Sequence, residues 1–266
     1  MNELMLSSCE LMYLCVAAGA KKIHGITDEL SHISESQIVS VVDNAVESLI
    51  QKEYMNMDFN GNTVVSPKVN EFIKIISSCK KTLLLRRTIG GKHLEPLFFY
   101  SDGSNILRSD FEKDQYRMQK ITKEELEAEL LSVLGAPISE SFESKHYNLP
   151  MKIFAQAKQF ASTENNKGKI LLAGNGMDNE TAELIIEGFG GKHSFLSAVY
   201  SNVEQGYELT EGVVFVFDGK MAVDIKPHLV DEEEYVEIRK VSLSDEISKL
   251  FSVLKSFGFV SERTGE

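Results

Sequence analysis

The sequence predicts an α+β fold made of two related halves. Three observations carry this: helical and strand-period segments come in blocks, a strand–helix block recurs without a gap, and tight-turn signals sit at matching places in both copies. At 266 residues and 29.8 kDa the chain is long enough for one large core or two smaller ones. Apolar residues make up 42% and charged residues 26%, which is globular composition and too apolar for a disordered chain.

The opening segment reads as a helix. Ser7-Ser8-Cys9-Glu10 has the capping-box form, and Leu11, Leu14, Cys15 and Ala18 follow at helical spacing. Ser34-Glu35-Ser36-Gln37 opens a second helix with an inward stripe of Ile38, Val41, Val42, Ala45 and Leu49. Tyr54 to Val65 reads as a hairpin turning at Asn60-Gly61, a pair suited to a type I′ turn. Ser66-Pro67 supplies an N-cap and first helical residue for a third helix through Val69, Phe72, Ile73 and Ile76. Helices followed by a small hairpin make a winged-helix-like segment.

Strands follow at Thr82–Thr88, Leu97–Tyr100, Asn105–Arg108 and Tyr116–Ile121, with a turn at Asp102-Gly103. Thr122 then caps a helix carrying Leu126, Leu130, Val133 and Leu134. Residues 137–150, with Pro137, Pro150 and several Ser and Glu, read as a connector between a first half at 1–136 and a second at 151–266. The second half begins with a helix over 151–161 (Ile153, Ala157 and Phe160 inward). The apolar stretch Ile170–Ala173 follows, then a helix capped by Asp178 or Asn179 with Ala182, Ile185, Ile186 and Phe189. Strands at Ser194–Ser201, Val213–Phe217, Met221–Ile225 and Tyr235–Val241 lead to a last helix from Ser242 with Ile247, Leu250, Phe251 and Leu254.

Gln119-Lys-Ile-Thr122 aligns with Arg239-Lys-Val-Ser242, and the register runs on to Leu130–Leu134 against Leu250–Leu254. An Asp-Gly turn precedes both blocks, at Asp102-Gly103 and Asp218-Gly219. Agreement of element order and turn chemistry points to an internal duplication. Duplicated halves commonly pair about a pseudo-two-fold axis and join their strands in one antiparallel sheet. Gly90-Gly-Lys-His93 and Gly190-Gly-Lys-His193 are also identical, but they lie at different places in the two blocks. Neither sits between a strand and a helix as a P-loop does, so they read as turns, with anion binding left open.

The 40 Asp+Glu exceed the 28 Lys+Arg, giving a net charge of −12, which repels nucleic acid and anionic membranes. Residues 1–80 hold six lysines, no arginine and ten acids, so the winged-helix-like segment lacks the basic face of a DNA reader. No window is apolar enough to span a membrane, and the basic pair Lys21-Lys22 follows the first apolar stretch rather than leading it as in a signal peptide. Three cysteines, Cys9, Cys15 and Cys79, suggest a reducing compartment without a disulfide framework. His24 and His32 belong to no zinc-ligand pattern, and no nucleophile-elbow, Walker or dinucleotide fingerprint occurs. The run Asp231-Glu-Glu-Glu234 lacks the alternating ligands and glycine of an EF-hand. The residues therefore point to a cytoplasmic, non-enzymatic protein without cofactor or metal, whose work is to bind other proteins. The alternatives are a winged-helix transcription regulator with a ligand-sensing domain, or another kind of interaction module.

In element order the chain resembles the EspG family of type VII (ESX) secretion chaperones. The resemblance lies in the helices and hairpin through Asn60-Gly61, in the block from Thr82 to the helix at Thr122, and in its repeat from Ala182 to the helix at Ser242. It implies a central antiparallel sheet flanked by two helical bundles, and a monomer or weak dimer without catalytic residues. It implies as client a small helical-hairpin secreted protein or heterodimer, kept soluble for export, with neither nucleic acid nor membrane insertion. The candidate client-binding positions are Asp102, Gly103, Ile247, Leu250, Phe251 and Leu254, core packing being the plainer role of the last helix.

Overall fold

The computed structural model describes residues 3–20, 23–26, 34–89, 91–135, 143–204 and 207–260. Lys21-Lys22, His32, Gly90 and residues 137–142 of the expected connector lie outside them. The chain forms two compact units. One is Met1–Leu84, Pro96–Lys123 and Tyr200–Thr210; the other is Leu85–Glu95, Glu124–Val199 and Glu211–Glu266. Each unit thus recruits a segment from the other half of the sequence, which a split at 136/151 does not anticipate.

The first unit opens with β1 (Glu3–Leu6), followed by α1 (Ser8–Ala17) and α2 (Glu35–Gln51). β2 (Met55–Met57) and β3 (Thr63–Val65) pair as a separate hairpin before α3 (Pro67–Ser78). The capping box at Ser7 is formed: its Oγ accepts from the Glu10 N–H at 3.2 Å and the Glu10 carboxylate from the Ser7 N–H at 2.7 Å. Glu10 also accepts from Ser48 Oγ at 2.6 Å and Lys52 Nζ at 2.7 Å, so one buried carboxylate ties α1 to α2. The hairpin tip differs from a two-residue type I′ turn. Asp58 draws the chain round its carboxylate, which accepts from the Asn60 and Asn62 N–H groups at 2.8 Å, and only Gly61 is left-handed.

β4 (Lys81–Ile89), β5 (Lys92–Ser101), β6 (Ile106–Glu112) and β7 (Gln115–Ile121) follow, then α4 (Lys123–Leu134). β8 (Lys145–Pro150) occupies the end of the expected connector. Its hydrogen-bonding partner lies far along the chain, so local composition hides it. The remaining elements are α5 (Met151–Phe160), α6 (Asn165–Gly174), α7 (Asn179–Phe189), β9 (Ser194–Glu204), β10 (Tyr207–Phe217), β11 (Met221–Val230), β12 (Glu233–Ser242) and α8 (Leu243–Ser256). The strands follow the order β1-β7-β6-β5-β4-β9-β10-β11-β12-β8, an antiparallel sheet of ten.

Helices α1–α3 bury Leu11, Leu14, Leu49, Phe72 and Ile73 against Leu4, Tyr100 and Met118 of the strands in the first unit. Tyr100 closes this core by donating its hydroxyl to the His24 carbonyl at 2.6 Å. In the second unit α5–α7 pack Phe154, Ala157, Leu172, Ile185 and Ile186 on Val223, Ile225, Val236 and Ile238. The inward α5 residue is Phe154, beside Ala157, where Ile153 was expected.

β11 is buried without a break from Met221 to Ile225, the mark of a strand covered on both faces. Alternation sends Val223 to the α5–α7 side and Asp224 to the α8 side. The two lysines matched in the sequence repeat occupy corresponding places. Lys120 stands opposite Leu107 and pairs with Glu71 of α3; Lys240 stands opposite Val223 and pairs with Glu180 of α7. In each unit a strand lysine thus meets a carboxylate on the preceding helix layer.

Candidate functional site

α8 begins where the Ser242 hydroxyl accepts from the Asp245 N–H at 3.1 Å, with Asp245 and Glu246 in its first turn and Lys255 in its last. Leu243, Leu250 and Leu254 are fully enclosed, so these positions hold the helix on the sheet. Asp224 of β11 anchors it electrostatically. Its carboxylate accepts from Lys249 Nζ at 2.6 Å and from Arg239 Nε of β12 at 3.1 Å, and Lys249 reaches Glu246 at 3.2 Å. Glu246 is 2% exposed, and burial, with the neighbouring Asp224 charge, pushes its carboxyl pKa up.

The outer side of α8 is different. Phe251 is half-buried, and with Ile247 it forms one wall of an open groove of about 450 Å³. Glu127 and Leu131 of α4 form the facing wall, and Ser248, Ser252, Lys255 and Val260 complete the lining. Leu126, Leu130 and Leu134 point α4 into the core, which leaves Leu131 37% exposed. Ile247 and Phe251, both expected as contact positions, therefore share this groove, whereas Leu250 and Leu254 face the core. Leu131 and Val260 escaped the sequence reading: Leu131 stands beside the stripe residue Leu130, and nothing local marks it as outward.

Asp102 and Gly103 lie in the other unit, in the exposed turn between β5 and β6. Gly103 takes φ 100°, and the Asp102 carboxylate accepts from the Ser104 and Asn105 N–H groups, both at 2.8 Å. Burial pushes Asp102 up, but these bonds, the Asn105 side chain and the Lys120 charge outweigh it and hold the carboxyl below its ordinary value. Its carboxylate thus braces the turn.

The repeated Gly-Gly-Lys-His turns meet. A Cβ on Gly91 would lie 2.4 Å from the Gly191 carbonyl oxygen, and Gly91 takes φ 80°, so no other residue fits there. The Gly191, Lys192 and His193 N–H groups bond to carbonyls at the end of α7, and Lys192 and His193 lie 3.1 and 3.4 Å from Glu187. The second turn is thus a helix cap with its donors occupied, not a phosphate cradle. Among the described residues, no three His, Cys, Asp or Glu stand close enough to hold a metal, and no helix is long and apolar enough to cross a membrane. Burial pushes the Cys15 thiol up to about 12 and the Cys79 thiol up to about 11, which makes both poor nucleophiles.

No family model matches the chain, and no curated protein matches it significantly. Among solved structures, the type VII secretion chaperone EspG5 of Mycobacterium tuberculosis, seen in complex with a PE25–PPE41 dimer, aligns over 99% of this chain and 100% of its own. The TM-score is 0.60 and the identity 9%. A candidate adenylate cyclase from Bacillus halodurans aligns over 100% of this chain and 93% of its own at 10% identity, but a TM-score of 0.15 carries no argument. Aligned over nearly its whole length, this chain has the fold of the type VII secretion chaperone EspG5.

Proposed function

We propose that the chain is a non-enzymatic cytosolic chaperone or adaptor of a type VII secretion system. It holds a small helical-hairpin protein or heterodimer soluble before export. The end-to-end likeness to EspG5, a chaperone bound to a protein dimer, is the observation that carries this reading. A groove open between two helices and lined by Leu131, Ile247 and Phe251 supports it, because a client with an exposed apolar tip needs such a surface to cover it. The acidic balance of −12 suits a soluble carrier and opposes a nucleic-acid partner.

The test is co-purification from the native bacterium with the full chain as bait, followed by gel filtration and mass spectrometry. A stoichiometric complex with a small helical secreted protein is the expected result. Recovery of no stoichiometric protein, or of DNA that salt removes, overturns the reading and favours a regulator.

A further inference from the structure

We propose that Asn60-Gly61, at the tip of the β2–β3 hairpin, is a site of spontaneous deamidation, a covalent change that the fold permits there and blocks at Asn175-Gly176. The same dipeptide stands at both places. It is a reactive pair because glycine has no side chain to obstruct attack by its own nitrogen on the side chain before it. Once the Gly61 nitrogen has given its proton to a base, it attacks the Asn60 side-chain carbonyl carbon. A C–N bond forms, the side-chain amide nitrogen leaves as ammonia, and a five-membered succinimide closes. Water then opens the ring at either carbonyl, leaving an aspartate or an isoaspartate at position 60. The net change is gain of water and loss of ammonia, and the reaction needs no partner.

The hairpin tip is open to it. Phe59, Asn60, Gly61 and Asn62 are all exposed, and a Cβ on Gly61 would meet nothing within 4 Å. The Asn62 side chain is tied, its Nδ2 donating to Asp58 Oδ2 at 3.1 Å, whereas no hydrogen bond within the described residues holds the Asn60 amide. One bond guards the nucleophile: the Gly61 N–H donates to the Asp58 carbonyl at 3.0 Å. That bond belongs to a hairpin of three residue pairs, Met55 with Val65, Asn56 with Val64 and Met57 with Thr63. A two-stranded hairpin this short opens at little cost. Asn175-Gly176 is exposed too, but it is locked. Asn175 Nδ2 donates to the Leu171 carbonyl at 2.8 Å, which holds the side chain on the last turn of α6. The Gly176 N–H donates to the Ala173 carbonyl at 3.0 Å, and the next residue, Met177, is 4% exposed within the core of its unit. Freeing the Gly176 nitrogen therefore means undoing the end of α6 and lifting Met177 from that core. At the hairpin, either product adds a negative charge close to Asp58, on the element that exposes Met57, Phe59 and Val64. An isoaspartate also lengthens the main chain there, which draws the Asn60 and Asn62 N–H groups away from the Asp58 carboxylate.

The test incubates the full-length chain warm at mildly alkaline pH, native and in urea. Tryptic peptides of residues 53–68 and 170–192 are then followed by mass spectrometry. Deamidation reads as a gain of about 1 Da, and isoaspartate as a methyl ester formed from S-adenosylmethionine by an isoaspartyl methyltransferase. In the native chain the 53–68 peptide is expected to react at least about tenfold faster than the 170–192 peptide. In urea the two rates are expected to converge, because only the fold distinguishes the two dipeptides. Asn60→Gln, whose longer side chain does not close a five-membered ring, is expected to abolish the gain in the first peptide. Equal rates in the native chain, or a tip that stays unmodified while the unfolded chain reacts, overturn the proposal. A gain that persists in Asn60→Gln also overturns it, since the chemistry would then lie at Asn56 or Asn62.

Discussion

At the scale of single residues, two carboxylates behave in opposite ways because their neighbours differ. Asp178 caps α7, accepting from the Thr181 N–H at 2.9 Å and the Thr181 hydroxyl at 2.8 Å, and it also takes the Tyr147 hydroxyl of β8. Burial pushes its carboxyl up, but the Tyr147 and Thr181 bonds, with the Lys240 charge, outweigh this and hold it well below the ordinary carboxylate range. Its stabilising effect is present above the unfolded pKa of about 3.9 and is lost as pH falls through the depressed folded value. Asp178→Ala is expected to cost about 1–2 kcal/mol at neutral pH, with the gap to wild type closing in acid; thermal melts from pH 7 down to pH 2 check this. Glu246 has the opposite sign. Its raised folded value means that stability is fullest below the unfolded pKa and declines as pH rises through the folded one. Glu246→Gln is therefore expected to gain on wild type between pH 4 and pH 7.5 in the same melts. By contrast, Asp224→Asn leaves Arg239 and Lys249 without their shared counter-charge and is expected to cost roughly 3 kcal/mol by urea titration.

At the scale of elements, the decisive contact is where α7 lies on β10. A Cβ on Gly188 would fall 2.0 Å from Val216 Cγ1, so the helix rests on the strand through a position with no side chain. Gly188→Ala is expected to destabilise by about 1–3 kcal/mol, and to cost less in a Val216→Ala background. A double-mutant cycle by denaturant titration measures that coupling, and additive costs would show that α7 shifts aside.

This scale also shows what the sequence displays and what it hides. The caps at Ser7, Ser34, Ser66, Asp178 and Ser242 stand where local chemistry puts them, because a cap is made within four residues. β1 and β8 were hidden in a helix and a connector, since each exists by pairing with β7 or β12, far along the chain. Two turns were hidden for another reason. Lys113-Asp114 and Asp231-Glu232 take left-handed φ of 51° and 62°, and of 49° and 70°, without a glycine to announce them. Of the candidate site, Ile247 and Phe251 were legible as a helix face. The opposite wall was not, because only packing decides which of Leu130 and Leu131 turns outward.

At the scale of the whole molecule, the proposed client role carries a thermodynamic test, because a protein that binds its ligand only when folded is stabilised by it through mass action. A saturating client at about a hundred times its dissociation constant adds about 2.7 kcal/mol. The melting temperature of the co-purified complex is thus expected to exceed that of the free chain and to fall back on dilution. A melting temperature unaffected by the client would mean that the retained protein does not bind the native fold.

The pairing of β1 with β7 and of β8 with β12 also sets a timetable for synthesis. Residues 3–6 can take their place in the sheet only after residues 116–119 have left the ribosome, and residues 145–150 must wait for 235–240. Helices α1–α3 and α5–α7 form from neighbouring residues and are ready early, while both outer strands stay unpaired for much of translation. A nascent chain stalled before residue 235 therefore carries an unpaired β8 and lacks Val236 and Ile238 of the surface under α5–α7, which leaves apolar residues of these helices uncovered until the last strand emerges.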